Sequence, residues 1–452
     1  MSESNTKEVV TRFPPSPTGN YHVGAARSTL FNWLFAKQHA GRMVLRFEDT
    51  DIERSKREYA DNIKEGIEWL GIDYDGPYFQ SERTTIYRSY LEKLIKSGAA
   101  YVSDESENEG GRDEVIRFKN PNKTIEFVDK IRGTVSVDTT DLGDFVIAKS
   151  LDEPLYHLAV VVDDHEMGIT HVLRGEEHIA NTPRQLLLIE ALGIERPVYA
   201  HIPLILGADG KKLSKRHGAT SLSEFRDLGV LPEGMVNYLA LLGWHPQDEQ
   251  EIFTLKELLA TFSLERVQKG PATFSLEKLR WVNRQHILNM DEEAFYDHVR
   301  QILPPDIKKL PQFDLKRLRR SLPIFRERTE VLSDIVQMAE AGELEFLFEA
   351  PNYSADDIAW KEDDPQDTAG YLKEVLTRWE ALPTDDFTPE TLQEVVWDYA
   401  SEVGRGSVLW PTRFALSGRQ QSPGPFAIAA AVGREETLSR LEMAVKKLSN
   451  EN

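Results

Sequence analysis

The chain has 452 residues, 40% of them apolar and 29% charged, with a formal net charge of −21 and no cysteine. Such a chain exceeds one ordinary core, which predicts about three domains of folded, globular composition. Without cysteine there are no disulfides, thiolate zinc sites, iron–sulfur clusters or cysteine nucleophile, and the acidic balance excludes a protein that coats nucleic acid through its overall field.

The residues after Met1 lack the apolar core of a signal peptide, and no stretch reaches the ~18 uncharged apolar residues of a spanning helix, so a cytoplasmic location is expected. A first strand is predicted at Val9 to Phe13, ended by the turn-forming run Pro14-Pro15-Ser16-Pro17-Thr18-Gly19. Leu30, Phe31, Leu34 and Phe35 recur at helical spacing between Ala25 and Ala40, Gly41 stands at the C-terminal cap, and Met43 to Phe47 reads as the next strand. This β-loop-α-β order opens a parallel-sheet, nucleotide-binding fold whose ligands sit beyond the strand C-terminal ends.

Two amphipathic helices follow, carried by Tyr59, Ile63, Ile67 and Leu70 and by Ile86, Tyr90, Leu91, Leu94 and Ile95. The acidic stretch from Ser103 to Glu114 predicts a loop. Strands are predicted at Val115 to Phe118, Thr134 to Val137 and Phe145 to Ala148, an insertion between two halves of one sheet domain. Further strands are expected at His157 to Val162, Ile169 to Leu173 and His201 to Leu206, with a helix from about Ile179 to Leu192. After Ser221 the strand patterns stop. Helical patterns run at Gly234 to Leu242, Leu255 to Thr261, Leu276 to Ile287, Leu315 to Ala341, Ala369 to Ala381 and Thr388 to Val403. One basic window, Lys308 to Arg328, interrupts the acidic surface; it reads either as a nucleic-acid contact or as a solvated helix face.

Two segments carry chemistry. Tyr21-His22-Val23-Gly24 lies between the first strand and the first helix, where His22 can donate to a phosphate oxygen and Gly24 lets the backbone come close. Far downstream, Gly207-Ala208-Asp209-Gly210-Lys211-Lys212-Leu213-Ser214-Lys215-Arg216 combines a flexible turn with clustered cations. There Lys212 and Lys215 can neutralise charge on a leaving pyrophosphate. Taken singly, the first segment reads first as a structural histidine and the second as a solvated basic loop.

In order and spacing the pair resembles the H-I-G-H and K-M-S-K-S signatures of class I aminoacyl-tRNA synthetases. Tyr21 replaces the first histidine, Ala25 the last, and the second motif reads Lys-Leu-Ser-Lys-Arg. These departures, the Phe13 to Gly19 run, Arg46-Phe-Glu-Asp-Thr-Asp51, Tyr156-His-Leu-Ala159, Val162-Asp-Asp-His165 and Arg174-Gly-Glu-Glu-His178 are similar to the glutamyl branch. The resemblance runs from Val9 to about Asn289, and the helical remainder agrees with bacterial glutamyl-tRNA synthetases.

The resemblance implies that Arg12 and Arg174 meet the substrate carboxylates, Glu48 its ammonium, and that Ser16 and Tyr156 belong to the same pocket. It further implies that Pro15, Gly24, Ser214 and Lys215 bind ATP and that His22, Lys212 and Lys215 act in catalysis. The residue chemistry agrees, since guanidinium forks onto carboxylate and a carboxylate complements an amine. Read without the resemblance, Arg12 and Arg46 can pair structurally with Glu48 or Asp51, and Asp163-Asp164-His165 can be a turn network or a metal site. Val160 stands where relatives often carry an asparagine, so one amide contact to the substrate is expected to be lost or replaced. No bound metal in the protein is expected, zinc included.

The expected fold is an α/β Rossmann-like catalytic domain with an inserted α+β domain, followed by an all-α C-terminal half. Its expected parts are 1–97 and 156–220 for the catalytic domain, 98–155 for an inserted acceptor-end-binding domain, 221–305 for a helical stem-contact domain and 306–452 for a helical anticodon-binding region. The implied reaction uses ATP and Mg2+ to activate L-glutamate and charges tRNA(Glu), with tRNA(Gln) as a further acceptor left open. The protein is expected to act as a monomer. Arg326 and Arg328 are the candidates for tRNA contact. A small-molecule nucleotidyltransferase leaves ~220 helical residues unexplained, and an inactive tRNA-binding paralogue should have lost His22 or Lys215. Glutaminyl-tRNA synthetase, with C-terminal β-barrels, and the shorter glutamyl-queuosine enzyme fit the helical C-terminal pattern poorly.

Overall fold

The computed structural model describes residues 7–51, 53–105, 114–214, 216, 218, 220–361 and 363–449. They form two compact units, Met1–Asn283 and Arg284–Asn452. Among the described residues no helix is long and apolar enough to cross a membrane.

The first unit begins with β1 (Val10–Phe13), α1 (Val23–Gln38), β2 (Arg42–Phe47), α2 (Arg57–Trp69), β3 (Asp75–Phe79) and α3 (Thr84–Lys96). The three strands pair in parallel in the order β1-β2-β3. β1 is buried throughout and β2 almost so, as expected of parallel strands covered on both faces. Then come β4 (Ala100–Asp104), β5 (Glu114–Phe118), β6 (Thr124–Asp129), β7 (Gly133–Asp138), β8 (Phe145–Ser150) and β9 (Glu153–Pro154). Strands β4, β5, β8 and β9 make an antiparallel sheet, while β6 and β7 form a hairpin. Most of the predicted acidic loop lies outside the described residues, and its first two residues close β4.

Parallel strands resume with α4 (Tyr156–Glu166), β10 (His171–Gly175), α5 (Thr182–Leu192), β11 (Val198–Ile202) and β12 (Ile205–Leu206). β10 and β11 run parallel, and a single pairing, Tyr199 with Asp129, attaches the β6–β7 hairpin beside β11. Thr170, at the start of β10, bonds Val10 from both its backbone N–H and its hydroxyl, which ties the two runs of strands together.

The expected strand at His157 to Val162 is instead the interior of α4. Every residue from Leu158 to Asp164 is buried, and a helix buried all round shows the same continuous apolar run as a buried strand. The unit closes with α6 (Leu222–Asp227), α7 (Pro232–Leu241), α8 (Leu255–Thr261), β13 (Ala272–Thr273) and α9 (Leu276–Asn289), in which the unit boundary falls. Strands therefore do not end at Ser221, since the two-residue β13 pairs in parallel with β12.

The second unit holds α10 (Glu292–Ile302), α11 (Pro305–Lys308), α12 (Leu315–Arg328), α13 (Ser333–Glu340), α14 (Pro365–Glu380), α15 (Pro389–Val403), α16 (Arg405–Ser417), α17 (Pro425–Val432) and α18 (Arg434–Leu448). The single helix expected over Leu315 to Ala341 breaks at Thr329, whose backbone is extended. Past it the Asp334 carboxylate, in the first turn of α13, accepts from the N–H groups of Glu330 and Val331 and fixes the connection between the two helices. An α/β first part, an inserted segment with its own antiparallel strands and a helical C-terminal part match the expected fold class.

Candidate active site

A cleft of about 750 Å3 opens at the C-terminal ends of β1 and β10, where parallel sheets place ligands. Of the residues singled out in the sequence, Arg12, His22, Gly24, Glu48, Tyr156, Arg174, Lys212 and Ser214 line it. Pro15 and Ser16 do not. Pro15 acts through its backbone, its carbonyl accepting from the Glu48 N–H at 2.9 Å, and Ser16 is exposed on the same loop. Lys215 lies outside the described residues.

Backbone pairing brings the two distant motifs together. Val23 N–H donates to the Thr220 carbonyl at 3.0 Å and Leu222 N–H to the Tyr21 carbonyl at 2.9 Å, so the end of the basic loop is stitched to the start of α1. His22 caps that helix, its Nδ1 accepting from Ala25 N–H at 3.2 Å. The neutral ring therefore carries its proton on Nε2, where it can donate. Although the ring reaches solvent, the cleft walls strip water from its cation and Lys212 repels it, which together lower its pKa below the ordinary 6.5. A Cβ on Gly24 would come within 3.2 Å of Nδ1 and crowd this arrangement. Across the cleft, Gly210 takes the left-handed backbone of the basic turn (φ 71°), and the Lys212 ammonium stands 3.8 Å from Glu177.

The deeper end is a buried ionic network. Arg12 and Arg46, on β1 and β2, are almost wholly buried and so require counter-charges. Helix α4 supplies them. Asp164 lies 3.4 Å from Arg12 Nε and 2.8 Å from Arg46 Nη1, and Asp163 3.6 Å from Arg46 Nε. Asp163 also accepts from Gln80, Arg83 and Tyr87. Asp163 and Asp164 thus serve as the counter-charges of two strand arginines while His165 is exposed, and among the described residues no cluster of three or more His, Asp or Glu side chains fits a metal ion. Glu48 meets Arg46 at 3.3 Å, whereas Asp51 is exposed and pairs with Arg54. Burial drives the Glu48 carboxyl upward more strongly than Arg46 and Arg12 pull it down, and it is pushed up to about 7.

Arg174, at the end of β10, spends one edge of its guanidinium on the protein. Nε donates to His201 Nε2 at 3.1 Å and Nη2 to the Thr182 hydroxyl at 2.8 Å. Nη1 is buried without a hydrogen-bond partner. An unmatched buried donor costs on the order of 1–3 kcal/mol, which a ligand carboxylate recovers. Tyr156 hydrogen-bonds His178 Nδ1 at 3.2 Å on the same wall.

Several residues here were not singled out by sequence reasoning, notably His201, Asp129 and Thr182. Asp129 is 72 residues from His201, so no local spacing could have joined them. Val160 does not line the cleft; it lines a second cavity of about 340 Å3 together with Asp164 and Gln185. In the second unit, Arg326 donates to the Asp291 carbonyl at 3.4 Å and lies 4.7 Å over the Phe295 ring, while Arg328 pairs with Glu343. Arg317 is buried, Arg319 pairs with Glu293 and Arg320 caps carbonyls at the end of α17. The basic window is thus largely committed to contacts within its own unit.

Comparison with known proteins agrees with this geometry. Residues 8–112 and 103–281 match the catalytic domain of class I tRNA synthetases (E and Q), and residues 294–445 match an anticodon binding domain. Glutamate–tRNA ligase 1 of Caldanaerobacter subterraneus is 39% identical, with 97% of this chain and 98% of that protein covered. The glutamate–tRNA ligase of Desulfosudis oleivorans is 40% identical over 98% and 99%. The crystal structure of a glutamate tRNA ligase from Elizabethkingia meningosepticum, in complex with its amino acid, is 32% identical, covers 98% of this chain and 100% of its own, and superposes with a TM-score of 0.82. With a catalytic-domain and an anticodon-domain match and such identity along nearly its whole length, the chain belongs to the glutamate–tRNA ligases, the glutamyl branch of the class I aminoacyl-tRNA synthetases.

Proposed function

We propose that the cleft of the first unit joins L-glutamate to ATP and passes the product to tRNA(Glu). An oxygen of the glutamate α-carboxylate attacks the α-phosphorus, the bond to pyrophosphate breaks, and the acyl adenylate then esterifies the terminal ribose of the tRNA with release of AMP. No protein nucleophile takes part; positioning and charge stabilisation carry such phosphoryl chemistry. His22 Nε2–H, Lys212 and Lys215 oppose the charge on the phosphates, Gly24 and Ser214 shape the nucleotide side, and Arg12, Tyr156, Arg174 and Glu48 bind the amino acid; Pro15 and Ser16, outside the cleft lining, serve the nucleotide and the amino acid from the loop that the Pro15 carbonyl ties to Glu48. ATP enters with Mg2+ as part of the substrate, a hard cation held by phosphate oxygens and water.

One observation carries this reading: Arg174, whose buried Nη1 has no hydrogen-bond partner, lines the same cleft as Glu48, so the cleft is lined by a donor for an acid and an acceptor for an ammonium. The five-part division at 97, 155, 220 and 305 belongs to the same proposal, supported by the cleft drawing Arg12, His22 and Glu48 from the first part and Tyr156, Arg174 and Lys212 from the third. So do a cytoplasmic location, where ATP and tRNA meet, a monomeric state checked by sedimentation, and tRNA contact at Arg326 and Arg328. ATP–pyrophosphate exchange with each amino acid, with and without tRNA, tests the chemistry: exchange dependent on glutamate alone is expected, and exchange with another amino acid would overturn it. Charging of tRNA(Glu) and tRNA(Gln) in parallel decides the acceptor set.

A further inference from the structure

Three polar residues around Arg174 have no part in the chemistry described so far, yet all are almost completely buried: Asp129, Thr182 and His201. Asp129 is the last residue of β6, in the inserted segment, and its single backbone pairing with β11 sets it beside His201. Its Oδ2 lies 2.6 Å from His201 Nδ1 and accepts from the His201 backbone N–H at 3.0 Å; Oδ1 accepts from the N–H groups of Ile131 and Arg132 at 2.9 and 2.8 Å. An acid so surrounded by donors stays ionised. Its hydrogen bonds hold both the ring and the backbone of His201 in one place.

The ring's tautomer follows. With a carboxylate oxygen at 2.6 Å, Nδ1 must carry the proton, since two lone pairs would otherwise face each other, so Nε2 of the neutral ring is an acceptor. That acceptor meets Arg174 Nε–H at 3.1 Å. The Thr182 hydroxyl accepts from Arg174 Nη2 at 2.8 Å and can give its own proton to the His178 carbonyl at 3.2 Å, which leaves its oxygen facing the guanidinium. The planar guanidinium has five N–H groups in a fixed fork, so fixing its Nε and Nη2 edge dictates where Nη1 points. Tyr199 lies 5.5 Å from the guanidinium carbon and stacks within 4° of the His201 ring, which limits tilting of the fork.

We propose that Asp129 and His201 are positioning residues for the glutamate site, holding the Arg174 guanidinium in the rotation that presents Nη1 to the substrate carboxylate. The inference rests on the reading of Arg174 as a glutamate contact. Asp129 fixes the tautomer and orientation of His201, His201 fixes the guanidinium edge, and neither touches the substrate. Preorganisation of this kind tightens substrate binding without changing the chemical groups that bind it.

The test is ATP–pyrophosphate exchange with tRNA(Glu) present, measuring the KM for glutamate and for ATP in His201→Phe, His201→Gln, Arg174→Ala and the Arg174→Ala/His201→Phe pair. His201→Phe removes the acceptor and should raise the glutamate KM about ten-fold or more, with the ATP KM within about two-fold. His201→Gln keeps an oxygen for Arg174 Nε–H and should recover most of that loss. The double variant should be no worse than Arg174→Ala alone, because the histidine acts only through the arginine. Should His201→Phe fail to fold, Asp129→Asn, whose one amide oxygen can still accept from the Ile131 and Arg132 N–H groups while its NH2 replaces the acceptor that His201 uses, takes its place with the same glutamate-selective rise expected. A strong effect of Arg174→Ala with an unchanged glutamate KM in the histidine or aspartate variant would overturn the positioning role alone, as would additive losses in the double variant. No effect of Arg174→Ala would overturn the pocket reading and this inference with it.

Discussion

Glu48 makes the sharpest pH prediction. It is buried, lines the cleft, and burial holds its carboxyl at about 7 despite the neighbouring Arg46 and Arg12. An ammonium ligand binds the ionised carboxyl, so glutamate binding must displace the proton from whatever fraction of molecules carries it. The sign is therefore fixed: raising the pH through 7 ionises Glu48 beforehand and lowers the glutamate KM, while acidification raises it. A group titrating at 7 is protonated in about ten molecules of eleven at pH 6 and in about one of eleven at pH 8, so the KM should fall about ten-fold between them, ~1.4 kcal/mol of binding. The substrate amine stays charged across this range and its carboxyls stay ionised, so the slope belongs to the protein. The assay is glutamate-dependent pyrophosphate exchange at saturating ATP from pH 6 to 8.5. Glu48→Gln keeps the size of the side chain, removes the titration, and should give a raised but flat KM profile. A flat wild-type profile, or an unchanged slope in Glu48→Gln, would refute the assignment of Glu48 to the ammonium.

Lys215→Ala and His22→Ala should each slow single-turnover adenylate formation by ~10²–10³ with little change in ATP affinity, since their charge and donor are needed as pyrophosphate separates; unchanged single-turnover rates would remove both from the mechanism. Arg46→Met leaves Asp163 and Asp164 with a buried charge short of its partner and should destabilise the first unit by about 3–5 kcal/mol in denaturant unfolding, with a loss under 1 kcal/mol counting against the network. Arg326→Gln with Arg328→Gln should leave tRNA-independent chemistry intact while reducing the salt dependence of tRNA binding and shifting the ratio of charging between tRNA(Glu) and tRNA(Gln). Wild-type charging and salt dependence in that double variant would assign both arginines to the contacts they make with Asp291 and Glu343.

Much of the molecule was legible residue by residue. The turn run after Phe13, the helical spacing of Leu30, Phe31, Leu34 and Phe35, and the amphipathic patterns from Gly234 onward are local signals, and the structure places strands and helices on them. The motif around His22 was legible for the same reason, because a strand, a turn and a helix N-terminus are consecutive in the chain.

What the tertiary structure decided is where local signals are degenerate or partners are distant. Val160-Val161-Val162 reads as strand because burial on all sides erases helical periodicity, and only packing made it the helix that carries Asp163 and Asp164. The helical pattern of Leu315 to Ala341 continues past Thr329 without a sequence break, yet the backbone is extended at Thr329 and Asp334 holds the turn that follows through the N–H groups of Glu330 and Val331. Sequence spacing gave no sign that Thr220 would bond Val23, that Asp129 would reach across 72 residues to His201, or that arginines in the basic window would turn toward Asp291 and Glu343. Residue type and spacing determine which chemistry a chain can perform and which short elements it forms. Which charges are neutralised, which donors stay unpaired and which side chains share a cleft depend on contacts between residues far apart in the chain, and those are set only when the sheet and its helices pack together.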